Sequence, residues 1–223
     1  MQVQEAVESR HSIRAFLPTP VAHETLRKVL LLAARAPSGG NVQPWHIDVL
    51  CGDALARFRA DMRDALRPDA PAQAPEYAVY PEALPSPWRE RRFEVGEDMY
   101  ALLGIARDDK AARLRWFARN FDFFGAPLAL FCTVERRMGP PQWSDLGMYL
   151  QTVMLLLRAE GLDSCAQECW SRYPDTVRRA LDLPDSRMVF CGMAVGYRDP
   201  AHPVNALVSR RAPEAQWLRF HDA

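Results

Sequence analysis

The sequence lacks a surplus of either charge. Its 28 Lys and Arg residues balance 28 Asp and Glu, which removes the electrostatic footprint of a nucleic-acid binder. It has no apolar run of the ~18 residues that a membrane span needs; the best, Val29 to Ala34, is one flank of a helix. Near the N-terminus, MQVQEAVESRH puts Glu5 and Glu8 where a signal peptide carries its apolar stretch. No G-x-G-x-x-G follows a strand and no Walker sequence is present, so a nucleotide phosphate has to be held by other means. There is no internal repeat and no Gly/Ser linker. The histidines form no spaced cluster, and Cys165 and Cys169, on a helix face or in a loop, have no His pair beside them, which argues against a metal site. Five cysteines, an odd number in a chain of 223 residues, do not suggest a disulfide framework. These exclusions leave a soluble, cytoplasmic, globular chain, whose hydrophobic fraction of 48% fills a real core.

What is present has clear periodicity. Leu26, Val29, Leu30 and Ala33 form one helical stripe that Pro37 stops. Leu146, Tyr149, Leu150, Val153, Met154 and Leu157 form a stronger one, with Ser144 or Asp145 as N-cap and Gly161 as terminator. Pro174 suits the first turn of a further helix carrying Val177 and Leu181. Short apolar runs from Trp45 to Cys51, Leu128 to Val134 and Val189 to Tyr197 read as strands. The order is mixed, so the fold class is α+β: a central, mostly antiparallel sheet flanked by helices, in one domain over 1–223. From Pro68 to Pro87 six of twenty residues are proline, which excludes a regular helix or central strand. That excursion, extended to about 68–92, is either a surface loop or a lid over a substrate.

Two segments carry candidate chemistry. Ser9-Arg10-His11-Ser12-Ile13-Arg14 places two guanidinium groups, an imidazole and hydroxyls within six residues. That is the donor set of a phosphomonoester site, although a basic helix end is as often a solvated face. Ala36-Pro37-Ser38-Gly39-Gly40-Asn41-Val42-Gln43-Pro44-Trp45-His46 links a helix to a strand. Its glycines permit close backbone approach, and its polar side chains can ring the edge of a flat heterocycle.

Taken together, RHSIRAFLPTPV, a helix and then APSGGNVQPWHI resemble the FMN-dependent nitroreductase family. The resemblance continues through FDFFGAPLALF, the helix SDLGMYLQTVMLLLRAEGLDSCAQE, the strand MVFCGMAVGYRDP and SRRAPEAQWLRF. GYRDPAHPVN and RRAP look most like the branch with nitrobenzoate reductases. The resemblance implies a nitroreductase-like fold in an intertwined homodimer, with FMN at the subunit interface. It implies that Arg10 and Ser12, with His11 beside them, hold the FMN phosphate and ribityl chain. Arg14 then lies near N1 of the ring and tunes it. Pro37, Ser38, Gly39 and Asn41 match a loop that reaches FMN from the other subunit. Gln167 and Glu168 match a strand edge facing N5, and Arg211 a late cation closing on the phosphate. Ser209 stands where many relatives carry lysine, with Arg210 available to compensate. Arg113 and Asn120 are candidates from the middle helices for the N1/O2 side.

The implied activity is an NAD(P)H-dependent flavoenzyme, with NADPH or NADH as electron donor and a nitroaromatic, such as a nitrobenzoate, or a quinone as acceptor. One shared cavity implies ping-pong kinetics. The flavin carries the chemistry, so no catalytic side chain and no metal are expected. Reductive dehalogenation, enone reduction, or flavin binding without turnover are the alternatives. Trp88, Arg89, Arg91 and Arg92 form either a cationic, aromatic rim for an aromatic carboxylate or a basic, solvated helix start. Glu214 to Phe220, with Trp217, Leu218 and Phe220, packs on a partner or on its own core.

Overall fold

The structure, a computed structural model, describes residues 1–221, so the last two residues of the expected 1–223 domain lie outside the described residues. The helices are α1 (Val3–Ser9), α2 (His23–Ala33), α3 (Gly52–Ala65), α4 (Trp88–Leu102), α5 (Lys110–Ala118), α6 (Pro140–Ala159) and α7 (Pro174–Leu181). Strands β1 (His46–Cys51), β2 (Leu128–Glu135), β3 (Asp163–Gln167) and β4 (Arg187–Gly196) form one sheet in the order β1-β2-β4-β3. Each neighbouring pair is antiparallel.

Side-chain alternation along β2 builds two cores, one on each face. Leu128, Leu130, Cys132 and Val134 point to the face covered by α2 and α6. Ala129 and Phe131 point to the other, where they meet Leu55, Phe58 and Met62 of α3 and Val177 of α7. The second core is aromatic: Trp170 stacks on Phe123 with ring centroids 4.5 Å apart and meets Phe131 edge-on at 5.1 Å. The turn that delivers Phe123 and Phe124 has φ of 55° and 54° at these residues, and Gly125 follows at 77°. Bulky side chains avoid that region. Here Arg59 clamps the turn by donating to the carbonyls of Asp122 and Ala126.

The sequence expectations hold for α2, for α7 with Pro174 in its first turn, and for three strands to within a residue or two at each end. The long helix ends as expected, with Gly161 as its terminator, but it starts earlier. It starts at Pro140 with Gly139 as N-cap, because two prolines pre-set the first turn. Ser144 and Asp145 therefore lie inside it, and Asp145 accepts the Gly39 N–H instead, at 3.2 Å. It ends at Ala159, ahead of Gly161, whose φ of 75° turns the chain back. DSCAQ is not part of that helix but strand β3, pairing with Gly196 to Gly192 of β4. Its residues are too few and too mixed to show alternation.

The proline-rich excursion has neither helix nor strand from 68 to 87. Its middle is nevertheless pinned. Glu76 N–H donates to Ser171 O at 2.8 Å, Tyr77 Oη donates to Phe190 O, and Gln73 bonds Thr176 and the Asp175 amide. Tyr77 also packs against Trp143 and Phe190.

Gly192 of β4 faces the Trp170 ring so closely that a Cβ there would lie 2.3 Å from Trp170 Cδ1. The ring is completely buried and cannot retreat. Gly192→Ala is expected to destabilise the fold by about 1–3 kcal/mol or more, as overpacking does. Thermal unfolding followed by circular dichroism checks this; an unchanged midpoint would show the core yields.

Candidate functional site

The N-terminal cation cluster is placed by backbone pairing. Ser12 bridges Ser164 of β3 in parallel, and Ile13 N–H donates to Ser164 O at 3.0 Å. Ile13 itself is completely buried, which fixes the alternation and turns its neighbours outward. Asn205 locks the next two residues: its Oδ1 accepts the Arg14 N–H at 2.9 Å, and its Nδ2 donates to Ala15 O and Asp199 O.

Beneath this segment lies an ion network. Asp163, 2% exposed, accepts from Arg158 of α6 at 2.8 Å and from Arg198 at 2.6 and 2.8 Å. Arg158 also reaches Ser9 Oγ and Leu162 O. The bonds to Asp163 raise the pKa of Arg198.

Arg10, His11, Ser12 and Arg14 line one cavity of about 480 Å³ together with Ser209 and Arg211. The two ends of the chain thus converge. Among the described residues, the Arg10 guanidinium has no carboxylate partner and Arg211 donates only to Ser209 and the Arg210 carbonyl. Ser209 therefore orients Arg211. Arg210 does not substitute for the missing lysine: it is paired with Asp98 at 2.7 Å.

Gln151 of α6 lines this cavity and also a second one of about 460 Å³. The second cavity is mainly apolar, with Leu150, Met154, Phe117 and Phe190 in its walls. Gln167 and Glu168 line it too, and so does Asn120. Gln167 donates to Asn120 O at 2.7 Å, while its Oε1 is buried without a partner. Partial burial pushes the Glu168 carboxyl above its ordinary pKa. Arg113, the other middle-helix candidate, is consumed by Glu97 at 2.5 Å and stacks on Tyr100. Arg92 lines the second cavity and sits 4.1 Å over the Tyr80 ring. Arg89 and Arg91 do not join it; they bond Glu90 and Gln216.

Pro37, Ser38, Gly39 and Asn41 line neither cavity of their own chain. Their loop is rigidly built: Gly39 is held by Asp145, Ser38 Oγ accepts the Gln43 N–H, and Gly40, Asn41 and Gln43 take positive φ. Sequence reasoning missed Asn205, Gln151 and Asp163. Asn205 stood inside the landmark GYRDPAHPVN, but its partners lie up to 191 positions away.

The chain belongs to the nitroreductase family, whose model matches residues 7–197. Among similar proteins is a 4-nitrobenzoate reductase of Pseudomonas putida, 38% identical over 201 residues, 90% of this chain and 87% of that one. The FMN and NADPH-dependent nitroreductase NfnB from Sphigopyxis sp. strain HMH superposes with a TM-score of 0.96 at 44% identity, covering both chains completely. The FMN-dependent NfnB from Mycobacterium smegmatis, solved with NADPH, gives 0.92 at 32% identity over 98% of this chain and 97% of the other.

His11 lies among Arg198, Arg10 and Arg158. Desolvation first, and then these cations, lower its pKa, with Asp163 opposing. Unfolding at mildly acidic pH therefore takes up a proton. Stability is full above about pH 6.5, the unfolded histidine value, and falls as pH drops toward the lower folded value. His11→Gln should flatten that part of a denaturant-midpoint profile between pH 7 and 5; an unchanged slope would remove His11 as its source.

Proposed function

We propose that this chain is an FMN-dependent oxidoreductase that uses NAD(P)H to reduce nitroaromatic or quinone substrates by a ping-pong mechanism. The observation that carries the reading is the pair of cavities that share Gln151 in their walls: one lined by cations from both chain ends, the other by apolar side chains. The first suits a phosphomonoester and the second a flat ring. The orphaned, buried Gln167 Oε1 adds an acceptor that a ring N–H would satisfy. These residues fit FMN.

In this reading Arg10 and Arg211 hold the phosphate by charge-assisted bonds, and Ser12 adds a short hydroxyl donor. His11 borders the anion and gains a proton more readily when it is present. Arg14 tunes the ring by favouring the negative charge that reduction adds. Gln167 and Glu168 flank the ring from the edge of β3. Bound there, FMN would supply hydride and electron transfer between NAD(P)H and the acceptor. The chain's own contribution is to orient the ring, exclude water from one face and bind the acceptor.

Pro37, Ser38, Gly39 and Asn41 complete the partner's site in a homodimer. Two observations support this: the loop is rigid yet lines no cavity of its own chain, and α4 and α5 bury no residue. Trp88, Phe93, Leu114, Trp217 and Phe220 are all exposed in the single chain. Such a set of unpacked aromatic and aliphatic side chains marks an interface. The segment 68–92 roofs the second cavity, with its pinned middle as hinge support and Val79, Tyr80 and Arg92 over the substrate. Arg92, with Arg172 on the same wall, suits an aromatic carboxylate.

The purified chain should be yellow, bleach with NADPH or NADH, and regain colour with nitrobenzene or 4-nitrobenzoate. A colourless protein that does not bind FMN would end the reading. Arg92→Gln should raise KM for 4-nitrobenzoate about tenfold, ~1.4 kcal/mol, and leave nitrobenzene unaffected. Equal changes for both acceptors would detach Arg92 from the carboxylate.

A further inference from the structure

Outside these two cavities, the fold brings a thiol and an imidazole together. His23 opens α2, and Cys51 ends β1 and serves as the N-cap residue of α3. Imidazole Nε2 and thiol Sγ are 3.1 Å apart. Both line a third cavity of about 570 Å³, together with Pro18, Pro20, Leu55, Leu128 and Arg59. It shares no lining residue with the other two.

The contrast with the other thiols is sharp. Cys132, Cys165 and Cys191 are buried, and burial pushes their pKa values up, that of Cys191 to about 12; Cys169 is also raised by desolvation. Among the described residues, none of these four has an imidazole within hydrogen-bonding distance. A thiol reacts through its sulfur anion, so a base within hydrogen-bond reach and an approach path are the two requirements. Cys51 has both.

We propose that Cys51 and His23 form a thiol–disulfide exchange site, distinct from the flavin site, that takes low-molecular-weight organic disulfides into the third cavity. His23 accepts the thiol proton as Sγ attacks one sulfur of the bound disulfide. A new Sγ–S bond forms while the old S–S bond breaks, and the departing sulfur leaves with the electron pair and takes the proton from His23. Cys51 is oxidised to a mixed disulfide and half of the incoming disulfide is reduced to a thiol, so electrons balance without a further oxidant. The apolar walls accept the organic part. Arg59 supplies a cation at the cavity wall, which favours disulfides bearing a carboxylate.

The test uses the full chain with FMN present and no nicotinamide, incubated with oxidised glutathione and followed by intact mass and peptide mapping. One adduct per chain is expected, on Cys51, and none on Cys51→Ser. At pH 7 the rate should fall at least tenfold in His23→Ala and in the bulkier His23→Gln. The variant and wild-type rates should converge at alkaline pH, where solvent removes thiol protons unaided. That convergence separates a base from a residue that merely shapes the site. Adducts on other cysteines, or a His23 variant as fast as wild type at pH 7, would overturn the proposal. Circular dichroism confirms that the variants are folded.

Discussion

The pairing of β3 with the N-terminal segment, and the ion network under it, determine where the chain's free cations go. Asp163 sits at the start of β3 with two guanidinium partners and almost no solvent contact. A carboxylate so placed is costly unless both partners stay. Its requirement fixes α6 through Arg158 and the chain after β4 through Arg198. One residue on, the Ser164 carbonyl takes the Ile13 amide and holds the segment from Arg10 to Arg14 against the same edge. Arg211 reaches the cavity from the far end of the chain. The charges used for structure, Arg158 and Arg198, are thereby separated from those left facing the cavity, Arg10 and Arg14.

The division has a chemical logic. A cluster of guanidinium groups repels itself unless an anion is present. In the network the anion is Asp163. Glu8 also lines the cavity, but among the described residues no carboxylate is paired with Arg10 or Arg14, and phosphate is an anion whose geometry matches paired guanidinium donors.

Much of this was legible in the sequence, and the reasons differ by element. The α2 and α6 stripes were plain because each helix packs one face on the sheet and keeps a 3.6-residue period. β2 and β4 were plain because they are buried on both faces and read as apolar runs. β3 was not: five residues beginning with a buried aspartate carry no pattern, and its burial depends on Arg158 and Arg198. The start of α6 was misjudged because Ser and Asp are good caps in isolation, while the two prolines upstream pre-set a turn earlier. The cation cluster near residue 10 was visible locally, and its meeting with Arg211 followed only from the family resemblance. Asn205 and Gln151 act through long-range contacts that no local pattern encodes. The site at His23 and Cys51 is of the same kind, two unremarkable residues 28 positions apart made adjacent by the fold.

We propose that Arg10 and Arg211, which line one cavity, grip a phosphate together. Calorimetric titration of the apoprotein with FMN and with riboflavin, which lacks the phosphate, measures that grip directly. Replacing both arginines by alanine should weaken FMN binding at least a hundredfold, about 2.7 kcal/mol, and leave riboflavin affinity nearly unchanged. Equal losses for both ligands, or no loss for FMN, would contradict it.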